Sequence, residues 1–238
     1  MAHKLMPVWQ RRQATPGVDA YPPSPGQPLL RLARIGDGKA LAALYRDVHT
    51  PSDGGCAKDH YPFPQYMDAS WIDDQIAGGE VVWSIAEVGG EAVATGSVVR
   101  IGEAASRVFE FGGFVVRSHI RRCGIASRIV EDLSARFLGV AALMVAETRV
   151  AEAGALKTFF KAGLLPTGFS PFAHRMSRGL ESMVPMVRID RRFLQQRRID
   201  GCCTPAVSRL AAEVLAPLNV MPLATAGLLA SSAQRAIQ

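Results

Sequence analysis

Residues able to bind an anion lie in the middle of the chain, in a short connection between an apolar run and a helical pattern. This connection contains arginines and a glycine. Arg121 and Arg122 precede Gly124, and a helical pattern begins directly after it. The N-terminus of a helix leaves backbone N–H groups unpaired, a glycine there lets a ligand approach them, and arginines bind phosphate oxygens strongly. The spacing is that of a phosphate-binding loop, and a plain helix cap with solvent-facing arginines is the alternative.

A carboxylate on the preceding apolar run is the candidate general base. Glu110 lies between Phe109 and Phe111, and apolar surroundings raise the pKa of a carboxyl toward the range of a base that works near neutral pH. An ion pair at the edge of a sheet is an equally weighted alternative. Simple alternation along the strand places Glu110 on the same face as Phe114 and Val116.

Two consecutive glycines follow Glu110 on this strand. Gly112 and Gly113 weaken a strand ladder and favour a β-bulge, which would change the alternation of the side chains beyond it. The other explanation for the pair is relief of crowding under a helix.

The pattern around these residues predicts strands and helices in mixed order. Two β-rich runs flank Gly89-Gly90, which indicates a hairpin, and apolar residues recur at helical spacing after Gly124. Asp37 is expected to cap the first helix, and Ser70 to start the second. The order strand, helix, helix, three strands, helix, strand, helix, strand predicts an α/β (α+β) fold with one mixed sheet and helices on both faces. The predicted strands cover residues 29–35, 81–88, 91–101, 106–116, 140–148 and 180–189, and the later helices begin at Ile125 and near residue 151.

Composition indicates one globular domain with extensions. The chain has 238 residues, of which 48% are hydrophobic, and this is enough for one core but not comfortably for two. We expect a flexible proline-rich leader over residues 1–28, the folded domain over 29–190 and a basic, helical extension over 191–238. For the extension, three alternatives stay open: an extra helix packed on the core, a homodimer contact or a loose tail.

The charge, the absence of targeting signals and the cysteine spacing indicate which classes of protein the sequence does not fit. The net charge of +6 favours anionic ligands, but no nucleic-acid motif accompanies it, so we expect no nucleic-acid partner. The sequence shows no secretory signal and no uninterrupted apolar run of about 18 residues, so a membrane span is not expected. Four cysteines without CxxC spacing predict neither a metal site nor a disulfide framework, which fits the cytoplasm.

The segment around Gly124 and the elements on either side of it resemble those of a known family. Residues 121–126 match the pattern [Q/R]-x-x-G-x-[G/A], set between a strand that ends at Val116 and an amphipathic helix. This resembles the coenzyme A pyrophosphate loop of the GNAT superfamily of N-acetyltransferases, and the resemblance extends over roughly residues 29–189. The segments HYPFPQY, residues 60–66, and GLESMVPM, residues 179–186, further resemble the subgroup that contains bacterial β-lysine acetyltransferases.

The resemblance implies a fold and a set of binding residues. It implies a mainly antiparallel central sheet with a V-shaped splay at the acyl-coenzyme A site, and Glu110 as the base that accepts the amine's proton. The backbone groups of Phe114, Val115 and Val116 are expected to pair with the pantetheine arm. The pyrophosphate loop would consist of Arg121, Arg122, Cys123, Gly124, Ile125 and Ala126.

One position departs from the family pattern. Many members have a tyrosine four residues before the glycine that closes the helix after the fifth strand, and this hydroxyl is thought to protonate the leaving thiolate. Phe159 occupies that position and has no proton to donate. Tyr61 and Tyr66, in the long loop, are other candidate donors, with no support from their position in the family pattern.

The resemblance implies transfer of an acetyl or related short acyl group from acetyl-coenzyme A, or another acyl-coenzyme A, to a primary amine. The alternative is a module with the same fold that binds acyl-coenzyme A without turnover; Phe159 favours it and Glu110 opposes it. Acidic residues in the long loop favour a cationic amine as the acceptor. These residues are Asp53, Asp59, Asp68, Asp73 and Asp74.

Overall fold

The computed structural model describes residues 28–50, 61, 63–103, 105–176, 179–196 and 213. Their centre is an eight-stranded sheet in the order β1-β2-β3-β4-β5-β8-β6, with β7 paired to β8 alone. Only β4 and β5 are parallel, and every other pairing is antiparallel. The strands are β1 (Leu29–Leu32), β2 (Val81–Val88), β3 (Glu91–Ile101), β4 (Val108–Val116), β5 (Leu143–Arg149), β6 (Leu165–Pro166), β7 (Ser170–Met176) and β8 (Gly179–Ile189).

Helices cover both faces of this sheet. The α-helices of the described residues are α1 (Gly38–His49), α2 (Ala69–Gly78), α3 (Ile125–Arg136) and α4 (Ala153–Lys161), and short 3-10 turns lie at Pro64–Met67, Ser118–Ile120 and Arg191–Gln196. Helices α1 and α2 pack on one side, called the α1 face, and α3 and α4 pack on the other, called the α3 face. The predicted mixed, mainly antiparallel fold is therefore confirmed.

The strongest local signals in the sequence correspond to observed elements. Gly89 and Gly90 form the β2–β3 turn with φ angles of 59° and 81°, as a tight hairpin turn requires. The apolar positions spaced by four after Gly124 are buried against the sheet as predicted. These residues are Ile125, Ile129, Leu133 and Phe137.

The two strands β6 and β7 have no counterpart in the predicted series. Pro166, Gly168 and Pro171 interrupt this segment and hide any strand pattern. Both strands pair with β8, so they depend on a partner supplied by the tertiary fold. The basic, helical extension predicted over residues 191–238 lies outside the described residues apart from 191–196 and Glu213, and most of the predicted leader also lies outside them.

The start of α1 differs from the predicted cap. Asp37 precedes the helix, but its side chain makes no capping hydrogen bond; it pairs with Arg31 at 2.6 Å and accepts from the amide of Arg34. The amide of Gly38 donates instead to Asp73, at 3.0 Å. The competing ion pair with Arg31 removes the Asp37 carboxylate from the helix end.

Two aspartates assigned to the acceptor loop have structural roles. Helix α2 begins at Ala69, one residue earlier than predicted, because Asp68 caps it by accepting from the amides of Ser70 and Trp71. Asp73 ties the start of α1 to α2. Among the predicted acidic loop residues, Asp53 and Asp59 lie outside the described part of the chain, and Asp74 is exposed on α2.

The sheet opens between its two parallel strands. Pairing of β4 with β5 ends at Phe111 and Ala146, although both strands continue beyond these residues. On the other side of β4, Ser97 pairs with Gly112 and Thr95 with Val115. Two residues of β4, at 113 and 114, therefore oppose the single residue 96 of β3, which is the predicted bulge.

Close packing fixes the bulge at Gly113. Its φ is +62°, and a Cβ there would lie 2.5 Å from the Tyr45 hydroxyl oxygen and 2.8 Å from Cε1 of Tyr66. The Tyr45 hydroxyl donates a 2.6 Å hydrogen bond to the carbonyl of Gly113. Glycine is therefore required at position 113 for two reasons: it adopts a positive φ, and it leaves room for Tyr45 and Tyr66 on the α1 face.

Gly113→Ala is expected to reduce the free energy of unfolding by roughly 2–4 kcal/mol, because left-handed strain adds to displacement of a buried tyrosine. Gly90→Ala is the matched control: its φ is +81° but nothing lies within 4 Å of the added Cβ, so only strain of about 1 kcal/mol is expected. Urea unfolding of both variants measures the difference. Equal losses of unfolding free energy in the two variants would mean that Tyr45 and Tyr66 move aside at little cost.

Candidate active site

Unpaired backbone amides converge where β4 meets α3. The first hydrogen bond of α3 joins the amide of Arg128 to the carbonyl of Gly124 at 3.1 Å, which leaves the amides of residues 125–127 without helical partners. Arg122 and Gly124 both have positive φ, 67° and 76°. In the described part of the chain, residues 122–124 also make no backbone hydrogen bond through their amides. Alternating backbone of this kind forms an anion-binding nest at the helix N-terminus.

Gly124 leaves the mouth of this nest open. A Cβ built on it would meet nothing within 4 Å, so the glycine is needed for its φ and for unobstructed approach rather than to avoid a clash. Ile125 beside it is buried in the core of the α3 face. The buried Asp132 pairs with Arg136 at 2.9 Å and accepts from Ser84 of β2 at 3.0 Å. These contacts hold α3, and with it the nest, in a set position on the sheet.

The two predicted arginines, Arg121 and Arg122, differ in their contacts beside the nest. Arg121 turns back toward β4, and its Nε donates a 3.0 Å hydrogen bond to the carbonyl of Val116. Arg122 is exposed. Cys123 is also exposed, with Sγ 3.7 Å from the carbonyl of Arg121. The six predicted loop residues therefore lie together, beside the end of β4.

The open edge of β4 continues from the nest along the splay. The amide of Arg117 donates to Val93 of β3 at 3.0 Å, so antiparallel alternation directs the backbone groups of Val115 toward β3 as well. The backbone groups of Phe114 and Val116 then face the gap between β4 and β5. Of the three residues predicted to pair with a pantetheine arm, these two have groups directed there.

Phe159 lies on the α3 face beside this gap. Its ring is 5% exposed and packs 5.6 Å from the ring of Phe111 and 5.2 Å from that of Phe114, measured between centroids. Phe160 next to it is 59% exposed. The position expected to hold a proton donor is thus filled by an apolar aromatic contact.

Glu110 lies on the opposite face of the sheet from Phe114 and Val116, with which simple alternation would place it. Phe109 and Phe111 point into the α3 face, so Glu110 points to the α1 face. The bulge then reverses the parity, which brings Val115 to the α1 face and Phe114 to the α3 face. Glu110 therefore does not share a face with Phe114.

The pKa of Glu110 is raised, but not by its two phenylalanine neighbours. Burial on the α1 face raises it most, the nearby carboxylate of Glu147 raises it further, and His174 lowers it. In the described part of the chain, no hydrogen bond or ion pair of the Glu110 carboxylate is observed. A half-buried carboxylate with a raised pKa is suited to accept a proton near neutral pH.

An aromatic cluster lies on the α1 face, and burial and, to a smaller extent, the Glu110 carboxylate raise the pKa of one member, Tyr66. Tyr66 interacts through its hydroxyl with Ser97, and this oxygen would be 3.8 Å from a Cβ at Gly112. Burial raises the pKa of Tyr66 and of Tyr61. Of the two candidate donors in the loop, Tyr66 has its hydroxyl beside the bulge. The cluster comprises Tyr45, Tyr61, Phe63, Tyr66, Trp71 and Trp83.

Two site residues, Glu147 and His174, were missed in the sequence. They come from β5 and β7 and are joined by a 3.2 Å contact between Oε2 and Nε2. Alternation in β5 contains the signal for Glu147, because Met144 and Ala146 are buried on the α3 face and Glu147 is exposed on the other. His174 had no such signal, since β7 was not predicted.

Comparison with known proteins decides the family. The model of the acetyltransferase (GNAT) family matches residues 41–164, more than half of the chain. The chain belongs to the GNAT family of acetyltransferases. No curated protein matches the chain significantly.

Solved GNAT structures share this fold at low sequence identity. A GNAT-family acetyltransferase from Streptococcus pneumoniae is 14% identical, with a TM-score of 0.56 over 69% of this chain and 100% of its own. The ribosomal L7/L12 alpha-N-protein acetyltransferase RimL, in complex with coenzyme A, is 16% identical, with a TM-score of 0.56 over 70% and 96%. The spermidine/spermine N-acetyltransferase SpeG from Vibrio cholerae is 13% identical, with a TM-score of 0.54 over 72% and 100%. These likenesses establish the fold.

As a GNAT acetyltransferase, the protein transfers an acyl group, and acetyl-coenzyme A is the co-substrate of this family. In the described residues, no helix is both long and apolar enough to cross a membrane. Those residues also bring together no three His, Cys, Asp or Glu side chains that could hold a metal ion.

Proposed function

We propose that this GNAT acetyltransferase moves an acetyl or related short acyl group from acyl-coenzyme A to a primary amine of a small molecule or protein, by direct attack. The observation that carries the proposal is one continuous path. It runs from the amide nest before α3, along the open edge of β4, to Glu110 on the α1 face.

The nest would bind the coenzyme A diphosphate. Unpaired amides of residues 122–127 would donate to its oxygens, and the guanidinium groups of Arg121 and Arg122 would neutralise its charge. Cys123, Ile125 and Ala126 contribute backbone amides rather than side-chain chemistry. The groups of β4 that face the splay would pair with the pantetheine arm, which directs the thioester toward the bulge.

Glu110 would accept the proton that the amine must lose. The amine nitrogen attacks the thioester carbon, a C–N bond forms, the proton passes to Glu110 and the C–S bond breaks. A backbone N–H at the open edge of β4 would stabilise the negative charge on the carbonyl oxygen. The thiolate leaves without help from Phe159, which is feasible because a thiol has a pKa of about 8.5. Of the two loop tyrosines, Tyr66 has its hydroxyl beside the bulge and is the candidate donor that would replace the family's tyrosine.

The finer assignment to the β-lysine acetyltransferase-like subgroup is part of this proposal. Its support is that both segments carrying the likeness contribute residues to the same face as Glu110 or to the strands beside it. Residues 60–66 provide Phe63 and Tyr66, and residues 179–186 provide Glu181, which lies opposite His174 in the β7–β8 ladder and pairs with Arg149.

Release of free thiol tests the proposal. We expect thiol only when the protein, acetyl-coenzyme A and a primary amine are all present, detected with a thiol-reactive dye across a panel of amines. The buried Phe159 favours a second candidate, an acyl-coenzyme A-binding module without turnover. Saturable acetyl-coenzyme A binding with no thiol release for any amine would support that candidate and contradict the proposed function.

A further inference from the structure

We propose that the acceptor is a diamine, and that Glu147 determines this specificity by binding the ammonium group that does not react. The inference rests on the proposed function and names the acceptor class of the same site. It concerns the recess on the α1 face formed by Phe63, Tyr66, Glu110, Glu147 and His174, called the acceptor recess.

Register places two carboxylates in this recess at different depths. Glu110 is paired with Val145 in the parallel ladder, and Glu147 lies two residues further along β5 on the same face. The strands separate between these positions, because the ladder ends at Ala146. Glu110 thus lies next to the last residue pair of the β4–β5 ladder and is half-buried. Glu147 lies beyond the end of that ladder and is exposed.

The two carboxylates have different surroundings. Glu110 has no ion-pair partner in the described residues and must accept the proton of the reacting amine, so its charge is consumed during the reaction. In the described residues, the hydrogen-bond and ion-pair contacts of the Glu147 carboxylate are limited to one, with the His174 ring at 3.2 Å, and the side chain is exposed. Glu147 can therefore hold a second cation throughout the reaction.

The nearest arginine along β5 is paired with carboxylates other than Glu147. Arg149 on the same strand is bound by two carboxylates, those of Glu181 at 2.6 Å and Glu152 at 3.6 Å. The Arg149 guanidinium is therefore engaged by these two carboxylates. A monoamine would leave the outer charge of Glu147 unpaired, whereas a second ammonium would pair with it.

An aromatic wall joins the two carboxylates. Phe63 is 41% exposed, and its ring centroid lies 6.0 Å from that of His174 and 6.3 Å from that of Tyr66. Exposed aromatic surface between two anionic groups complements methylenes flanked by ammonium groups, and aromatic faces also attract cations. The arrangement fits an aliphatic chain that carries an amine at each end.

The test compares 1,4-diaminobutane with butylamine, two acceptors of equal chain length that differ in one amine. We expect the parent to favour the diamine by about tenfold or more in kcat/KM, as one partly buried ion pair would give. Glu147→Gln is expected to reduce this ratio to near one. Because Glu147, in addition to burial, raises the pKa of Glu110, its removal acts on that base for both amines alike, and the ratio isolates the binding of the second ammonium. Glu103→Gln, an equal charge change at an exposed position before β4, is the control and should keep the parent ratio.

Calorimetric titration of 1,4-diaminobutane into the protein saturated with coenzyme A gives a second readout that needs no turnover. Glu147→Gln is expected to weaken this binding about tenfold. A parent ratio near one, or a ratio that survives Glu147→Gln, would overturn the diamine assignment even if butylamine is acetylated. Binding that depends on Glu147 without turnover of either amine would instead overturn the proposed function and leave the acceptor recess as a diamine site.

Discussion

Gly124→Asp is expected to reduce affinity for acetyl-coenzyme A by about 100-fold or more while the fold stays intact. A Cβ at this position meets no atom within 4 Å, so the new side chain enters only the space that a bound diphosphate would occupy. Bringing like charges together at a binding surface costs several kcal/mol. Aspartate also tolerates positive φ better than most residues, which limits the strain at +76°.

Gly124→Asn is the matched control for this prediction. Asparagine has nearly the same size and the same tolerance of positive φ, but it carries no charge. We expect it to lose much less affinity than the aspartate variant. Calorimetric titration with acetyl-coenzyme A measures both, and circular dichroism checks the fold. Unchanged affinity in Gly124→Asp would remove the diphosphate from this loop.

Glu110→Gln is expected to lower kcat/KM by about 100-fold or more near pH 7, the usual contribution of a positioned base. The deficit should narrow as pH approaches the pKa of the acceptor amine, about 10, because more of the amine then arrives deprotonated. Affinity for acetyl-coenzyme A should stay nearly unchanged, since Glu110 lies on the face opposite α3. A pH–rate profile that coincides with the parent's would exclude Glu110 from the mechanism.

The same variant should not lose stability, which separates a catalytic role from a structural one. The folded-state pKa of Glu110 is raised, so folding favours the protonated carboxyl, and its stabilising contribution is lost as pH rises through that pKa. Above it, the half-buried charge opposes folding. Glu110→Gln is therefore expected to gain less than about 1 kcal/mol near pH 8 and nothing near pH 4, because solvent screens a partly exposed carboxylate. A clear loss of stability near pH 8 would show that Glu110 makes a structural ion pair.

Local patterns in the sequence were sufficient for the features that depend on nearby residues. The Gly89-Gly90 hairpin, the buried face of α3 and the glycine at its N-terminus all follow from backbone conformation and side-chain periodicity over a few residues. The predicted phosphate loop belongs to this class, because a nest and a helix N-terminus are made by consecutive residues. The resemblance to the GNAT pattern could therefore be recognised from six consecutive residues, without knowledge of the tertiary structure.

Capping could not be assigned in the same way. Asp37 had the right residue type and position, but Arg31 lies close enough in the folded sheet to take its carboxylate. Asp68 and Asp73 were grouped with the acceptor loop and instead stabilise helix starts. Which donor an aspartate meets depends on neighbours brought together by folding, and several donors compete for it.

By itself, the sequence determined that a glycine-containing turn, predicted to bind phosphate, links an apolar strand to an amphipathic helix in a mixed α/β domain. Only the tertiary structure decided which side chains share a face with Glu110, the proposed base, and which lie on the opposite face. The bulge at Gly113 reverses the parity of β4, so Glu110 lies with Tyr66 on the α1 face while Phe114 packs against Phe159 on the other. Glu147 and His174 join the site from β5 and β7. The physical reason is that one extra residue in a strand exchanges its faces, and where it is absorbed depends on a partner strand and a packed tyrosine distant in sequence.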